Sequence, residues 1–270
     1  MTSKHRNKHG MKNLFARIAG NLSSPQKKDG TMPAPQPEQP FLAVGDLHGR
    51  ADLLLELDQL IEKTFPGWPI VFLGDYIDRG EDSRSVLQLL MSVSPAGNPP
   101  VTCLMGNHER MLLDFIDAPS QSARRWIRNG GLQTLASFGV SLRQERLNDA
   151  SAMNATRDQL VEAMGAEMVD WLNERPLSWQ NGNVWAVHAG TKPSEPMGSQ
   201  KPQHLLWGHP DFPNVTRHDG QWIVHGHTIV ETPVADRGRI AVDTGAYATG
   251  ILTAAIIKPN DVSFIQTAAR

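Results

Sequence analysis

The side chains able to bind metal ions or phosphate fall in five short clusters, each placed directly after an apolar run. Gly45-Asp46-Leu47-His48-Gly49 follows residues 41–44, and Gly74-Asp75-Tyr76-Ile77-Asp78-Arg79-Gly80 follows Ile70-Val71-Phe72-Leu73. Gly106-Asn107-His108-Glu109 follows residues 101–105, and His188-Ala189-Gly190 and His225-Gly226-His227-Thr228 complete the set. Any one of these is a weak signal, because Asp, Asn and Gly also mark ordinary turns, and an Asp-Arg pair is usually a surface ion pair. Together they offer carboxylate and carboxamide oxygens and imidazole nitrogens without a thiolate. That donor set suits Mn, Fe or Zn without choosing among them.

Five clusters act together only if the fold brings them to one place. Residues 41–44, 70–73 and 101–105 read as strands. Leu53, Leu54, Leu57, Leu60 and Ile61 give helical periodicity over residues 51–64, and helices are expected near 83–91 and 108–116. Strand and helix alternate, which implies a parallel sheet with right-handed crossovers, so the first three clusters emerge at one sheet edge. Further strands are expected at 183–187, 221–224, 239–242 and 251–257, the first delivering His188. Residues 134–175 read as two or three helices, clearest over 160–172, and residues 191–203 as a polar rim loop.

In this order the motifs GDLHG, GDYIDRG, GNHE, HAG and GHT resemble the phosphoprotein phosphatase branch of the calcineurin-like two-metal phosphoesterases, over residues 41–257. Trp126-Ile127-Arg128-Asn129-Gly130-Gly131 is similar to a pattern of the compact bacterial-type protein phosphatases. Asp243-Thr244-Gly245-Ala246 resembles a turn that backs the metals. The resemblance implies an α/β fold: a sandwich of two mixed sheets flanked by helices, in α-β-β-α layers. It makes Asp46 and His48 ligands of a first metal, Asp75 the bridge, and Asn107, His188 and His227 the ligands of a second. Two divalent ions, with manganese expected and iron or zinc open, would clamp a phosphoryl group and acidify a shared water for in-line attack. His108 would protonate the leaving oxygen, with Asp78 orienting its ring, and Arg79 would grip a phosphate oxygen. His225 reads as packed strand.

One departure stands out. The relatives place a second phosphate-binding arginine soon after a Leu-Leu-Trp segment; here Leu205-Leu206-Trp207-Gly208 is followed by His209, with Arg217 as a substitute candidate. The expected activity is hydrolysis of phosphoserine, phosphothreonine or phosphotyrosine in proteins. A symmetrical diadenosine tetraphosphate hydrolase is the alternative enzyme, disfavoured by Asp78 and Glu109, and a metal-bearing interaction module without catalysis is the third reading.

Charge is unevenly spread. Residues 1–40 carry seven Lys or Arg against Asp29 and Glu38, while the rest holds 19 basic and 26 acidic side chains. An acidic body is a poor nucleic-acid binder. A single cysteine, Cys103, excludes an intramolecular disulfide framework and fits a reduced, cytoplasmic setting. Residues 23–40 contain five prolines and read as a flexible or extended linker, so the expected division is a basic tail and linker over 1–40 and a catalytic domain over 41–270. Within the tail, Met11, Leu14, Phe15, Ile18 and Leu22 share one helical face. That face would dock on a membrane surface or a protein partner, or belong to a basic extension with neither role.

Overall fold

The computed structural model describes residues 32–93 and 97–268, and the amphipathic stripe at 11–22 lies outside them. In chain order the elements are β1 (Phe41–Val44), α1 (Ala51–Thr64), β2 (Ile70–Phe72), α2 (Ser83–Met91), β3 (Val101–Cys103), α3 (Asn107–Asp117) and α4 (Pro119–Trp126). A π-turn at Ile127–Gly131 leads to α5 (Leu132–Ser137), α6 (Ala150–Met164), α7 (Ala166–Asn173), β4 (Ser178–Asn181), β5 (Val184–Val187) and α8 (Pro202–Trp207). The chain then forms β6 (Trp222–His225), β7 (Val234–Asp236), β8 (Arg239–Ala241), α9 (Ala246–Thr249), β9 (Thr253–Lys258) and β10 (Asp261–Gln266).

Alternation along the short strands sets the layers. In β1, Phe41 and Ala43 face the interior between the sheets, whereas Leu42 and Val44 pack under the helices. Among the described residues there are two five-stranded sheets, ordered β10-β9-β1-β2-β3 and β4-β5-β6-β8-β7. The β1, β2, β3 neighbours are parallel, as are β5, β6, β8, and antiparallel strands flank each set. Val71, Leu73 and Leu104 from one sheet meet Val184, Val224, Ile240 and Val242 from the other. Burying each of these side chains stabilises the sandwich by ~1.5–3 kcal/mol relative to exposure. Helix α1 lays Leu53, Leu54, Leu57 and Ile61 on the outer face of the first sheet, and Val187, Leu205, Phe212 and Ile223 form a smaller core outside the second. The α-β-β-α sandwich implied by the motifs is the one that forms. No helix among the described residues is long and apolar enough to cross a membrane.

Two local expectations change. The helix read over 160–172 is two helices, because Gly165 adopts φ 77° and ψ 154°, a conformation that ends α6 and that only glycine reaches without strain. Residues 191–203 are not loop throughout, since Pro202 starts α8 at a first-turn position where its missing N–H costs nothing.

Residues 32–40 take the extended of the two expected forms, and they belong to the compact unit, which begins at Met32. Their backbone is fastened by side-chain amides of the second sheet. Asn183 Oδ1 accepts from Gln36 N (2.5 Å) and Asn181 Oδ1 from Glu38 N (2.7 Å); Trp222 Nε1 donates to the Pro33 carbonyl (2.7 Å). Proline richness therefore marks an extended strap here, with hydrogen bonds supplied from outside its own sequence.

Candidate metal centre and phosphate site

Each cluster sits just beyond the C-terminal end of a parallel strand: Asp46 and His48 after β1, Asp75 to Arg79 after β2, Asn107 and His108 after β3. His188 follows β5, and His227 follows β6. The first two turns are zipped together, since the backbone N–H groups of Leu47 and His48 both donate to the Asp75 carbonyl (3.0 and 2.8 Å). Among the described residues, seven non-glycine positions have positive φ, and five of them are His48, Asp75, Asp78, Arg79 and His227. Strain held at these positions, rather than spread over ordinary turns, points to a site that needs the resulting side-chain directions.

Asp75 is the junction. Two sets of three residues bring one donor atom each within 4.8 Å of one another, His48 with Asp75 and His108, and Asp75 with His188 and His227. His48 Nδ1 donates to the Ile77 carbonyl (2.8 Å), and His188 Nδ1 to that of Leu73 (3.0 Å). Burial pushes His48 down to about 3 and lowers His188, so both rings are neutral near pH 7. Their Nε2 atoms are then bare lone pairs. That of His48 lies 3.6 Å from Asp75 Oδ2, and that of His188 lies 2.8 Å from Asn107 Oδ1 and 3.3 Å from Asp75 Oδ1. His227 Nδ1 is also 2.8 Å from Asn107 Oδ1.

For His48 and His188, lone pairs facing acceptor oxygens repel unless a cation lies among them, whereas His227 Nδ1 can meet Asn107 Oδ1 as a donor. Asp46 adds to the same imbalance: burial, then the nearby Asp243 and Asp75 carboxylates, raise its pKa well above the usual range. The donor chemistry therefore fits divalent cations. Asp46 itself lies outside both three-residue sets. Both of its oxygens accept from the His227 N–H (3.1 Å each), which ties the β1 and β6 turns together. A Cβ on Gly226 would stand 2.0 Å from Asp46 Oδ1, so glycine is what lets this contact form.

The family model for calcineurin-like phosphoesterases matches residues 39–231. The chain belongs to that family. A zinc-dependent endopolyphosphatase of Saccharomyces cerevisiae is 27% identical over 163 residues, 57% of this chain and 48% of the relative. A serine/threonine-protein phosphatase, PP1-1, from the same yeast is 40% identical over 79 residues, 27% of this chain and 24% of the relative. The chain thus spans under half the length of these curated relatives. A crystal structure of a putative diadenosine tetraphosphatase superposes with a TM-score of 0.57 at 17% identity, covering 87% of this chain and 99% of that one, which shows the fold alone.

Beside the metal-type donors, this calcineurin-like phosphoesterase holds a buried dyad. His108 Nδ1 lies 2.6 Å from Asp78 Oδ2, and the two side chains are 1% and 0% exposed. Burial would lower His108, but Asp75 and Asp78 outweigh it and raise its pKa. Burial also raises Asp78, opposed by the hydrogen bonds it accepts. Those come from His108, from Thr134 Oγ1 (2.6 Å) and from Trp126 Nε1 (3.1 Å to each oxygen). Arg79 places Nη2 3.2 Å from His108 Nε2 and stacks its guanidinium 4.9 Å from the Tyr247 ring centre.

Four further side chains contribute to the site. Thr134 carries no pattern at all, and Trp126 stands in one without a stated role. Tyr247 lies edge-on to His48 at 5.3 Å, joining the site through α9. Glu109 is fully buried and accepts from the backbone N–H groups of Gly106, Asp75 and Tyr76 (2.9, 2.9 and 2.8 Å), welding the β2 and β3 turns. Burial first, then Asp75, push its carboxyl up to about 7. Its place in the first turn of α3 is the one sequence signal for that role.

Two expected phosphate contacts are corrected. Arg217 is buried and spends its guanidinium on Asp219, Thr191 Oγ1 and the Lys192 and Glu195 carbonyls, pinning the loop after His188. His209 Nδ1 accepts from Asp211 N (3.2 Å), and its ring meets His204 at 4.8 Å. Both serve their own loops. His225 packs against Phe212, ring centres 4.9 Å apart.

Proposed function

We propose that this chain is a metal-dependent phosphomonoesterase that dephosphorylates phosphoserine, phosphothreonine or phosphotyrosine in proteins. The observation that carries this reading is the 2.6 Å contact between His108 and Asp78, buried beside Asp75. Ester hydrolysis at an unactivated alcohol needs a proton delivered to the leaving oxygen, and an imidazole fixed through Nδ1 presents Nε2 for that task. Asp46, His48, Asp75, Asn107, His188 and His227 would hold two divalent ions, with Asp75 shared, and manganese is the expected metal. Such ions, when bound, supply Lewis-acid charge neutralisation and activation of water.

The protein's own steps are positional. Arg79 turns a planar guanidinium to the phosphate, matching two oxygens at once. Asp78 keeps the His108 ring from rotating and stabilises the imidazolium before it gives up its proton. Trp126 and Thr134 hold Asp78 in turn. The same donor set would also serve a symmetrical dinucleoside tetraphosphate hydrolase, and Asp78 is what tilts the balance, since phosphoanhydride leaving groups need less protonation. The chelated protein, reloaded with manganese, should turn over a phosphoserine or phosphotyrosine peptide faster than diadenosine tetraphosphate. The reverse preference would move the assignment to the tetraphosphate.

A further inference from the structure

Arg125 is a second arginine tied to the turns of the site. This residue is exposed at the end of α4, and its guanidinium carbon lies 4.1 Å from the centre of the Trp207 ring. Trp207 in turn lies edge-on to His227, ring centres 6.4 Å apart. The backbone of Arg125 is tied to the site from the other side: its neighbour Trp126 donates to both oxygens of Asp78, and Asn129 Nδ2 caps the Arg125 carbonyl (2.9 Å). Beyond it, the Gly130 carbonyl accepts from Arg79 N (3.3 Å), and a Cβ at Gly130 would stand 2.6 Å from that nitrogen. One turn of chain therefore carries Arg125 and rests on Arg79. Among the described residues Arg125 forms no ion pair, whereas Arg217 is saturated and His209 is engaged in its own turn.

We propose that Arg125 is a phosphate-binding residue, held ready on the face of Trp207 and contacting phosphate oxygens of the substrate beside Arg79. The proposal rests on the phosphoesterase reading of the centre but not on the protein substrate. A stacked guanidinium keeps its N–H edge free, so the indole restrains the side chain without consuming its donors. That leaves a planar, pre-oriented donor fork on an indole that itself lies edge-on to His227 of the metal-type site. The phosphate it meets is either the reacting group or the next one along a polyphosphate chain, and both present the same oxygens.

The test is inhibition of the full-length, manganese-loaded protein by inorganic phosphate and by tripolyphosphate, read with p-nitrophenyl phosphate as substrate. Arg125→Ala is expected to raise an inhibition constant about tenfold, with kcat changed less than KM. A rise for both inhibitors places Arg125 on the reacting phosphate, and a rise for tripolyphosphate alone places it on the neighbouring one. Trp207→Phe should retain affinity and Trp207→Leu should reproduce much of the loss. Arg125 is exposed, so an unchanged melting temperature is expected and separates binding from folding. Unchanged constants for both inhibitors in Arg125→Ala overturn the proposal. If the wild-type protein ignores phosphopeptides, the protein-phosphatase reading fails while this comparison still decides Arg125; if it turns over no ester, phosphate binding by calorimetry replaces the inhibition readout.

Discussion

Arg79 Nη2 lies 3.2 Å from His108 Nε2, and because a guanidinium only donates, Nε2 is the acceptor in this contact. The ring proton then sits on Nδ1, facing Asp78. For His108 to act as an acid, Nε2 must carry a proton, so Arg79 must let go of it. A phosphate anion supplies the competing partner. Arg79 also lowers the His108 pKa by its charge, so Arg79→Ala should move the alkaline limb of the kcat–pH profile upward while weakening substrate binding. An unmoved limb with only KM raised would restrict Arg79 to binding.

Asp78 should be sensitive to losses outside the five clusters. It is fully buried, and Trp126 and Thr134 are side-chain donors that help to offset its desolvation. Trp126→Phe or Thr134→Val leaves an acceptor short of a partner, at a cost of about 1–3 kcal/mol in stability. Each should also slow esters with poor leaving groups more than p-nitrophenyl phosphate, because a loosened Asp78 misaligns His108. Equal slowing of both substrates would mean that the two residues support the fold alone.

The first three clusters were legible because parallel strands must release their C-terminal turns on one edge, so order along the chain became proximity in space. His188 and His227 follow strands of the other sheet and reach Asp75, 113 positions from His188, because the two sheets stack with their C-terminal ends together. Thr134 was not legible, since its partner Asp78 is 56 residues away and only the packing of α5 against α2 closes the gap. Arg217 misled for the opposite reason. An arginine near the right segment looks available until its partners, Asp219 and three loop oxygens, are seen. Residues 32–40 were legible as extended but not as fastened, because proline content reports the lack of self-pairing and is silent on acceptors and donors offered by Asn181 and Asn183.

Metal removal should separate Asp75 from Asp46. Asp75 belongs to both three-residue sets and Asp46 to neither, its oxygens being turned to the His227 N–H. Asp75→Asn is therefore expected to reduce bound metal at both positions and to abolish turnover. Asp46→Asn should retain at least one ion per chain in elemental analysis. Equal metal loss in the two variants would remove the distinction.

Three histidines should weaken the chelated protein in acid over a defined window. Burial lowers His48 to about 3 and both His225 and His227 to about 4, below the unfolded value near 6.5. Between those limits these rings bind more protons in the unfolded chain, so their share of the stability rises with pH, whereas the raised carboxyls of Asp46, Asp243 and Glu109 act in the opposite direction. The histidine contribution is fully present above about 6.5, declines as pH falls, and is gone once the folded rings protonate. Urea midpoints measured with chelator at pH 7, 5.5 and 4.5 give the net slope, and comparing the wild-type chain with a histidine variant isolates one ring's share. His225→Phe should lessen the slope by about one proton, and an unaltered slope would exclude His225 as a buried neutral ring.

The strap over residues 32–40 predicts a sharp difference between two truncations. Removing residues 1–31 takes nothing from the described compact unit, which starts at Met32. Removing residues 1–40 also deletes the bonds that Asn181, Asn183, Trp222 and Asn260 make to the strap, including Asn260 N to the Pro35 carbonyl at 2.8 Å. It removes Met32 as well, whose side chain packs on the inter-sheet core. Net hydrogen bonds contribute ~0.5–1.5 kcal/mol each, offset in part by the entropy of ordering the segment, a cost that its prolines reduce. The longer truncation should therefore lose about 2–4 kcal/mol, and the shorter one less than about 0.5 kcal/mol. At roughly 2–4 °C per kcal/mol for a domain of this size, the melting temperatures should separate by several degrees. Asn183→Ala in the full-length chain should fall between them, because that amide serves the strap and also the Gly220 carbonyl. Turnover at 25 °C should hardly change in any of the three, since the strap meets β5 and β6 at their starts, whereas His188 and His227 follow their ends. Identical melting temperatures for the two truncations would show that the strap adds nothing to the stability of the sandwich.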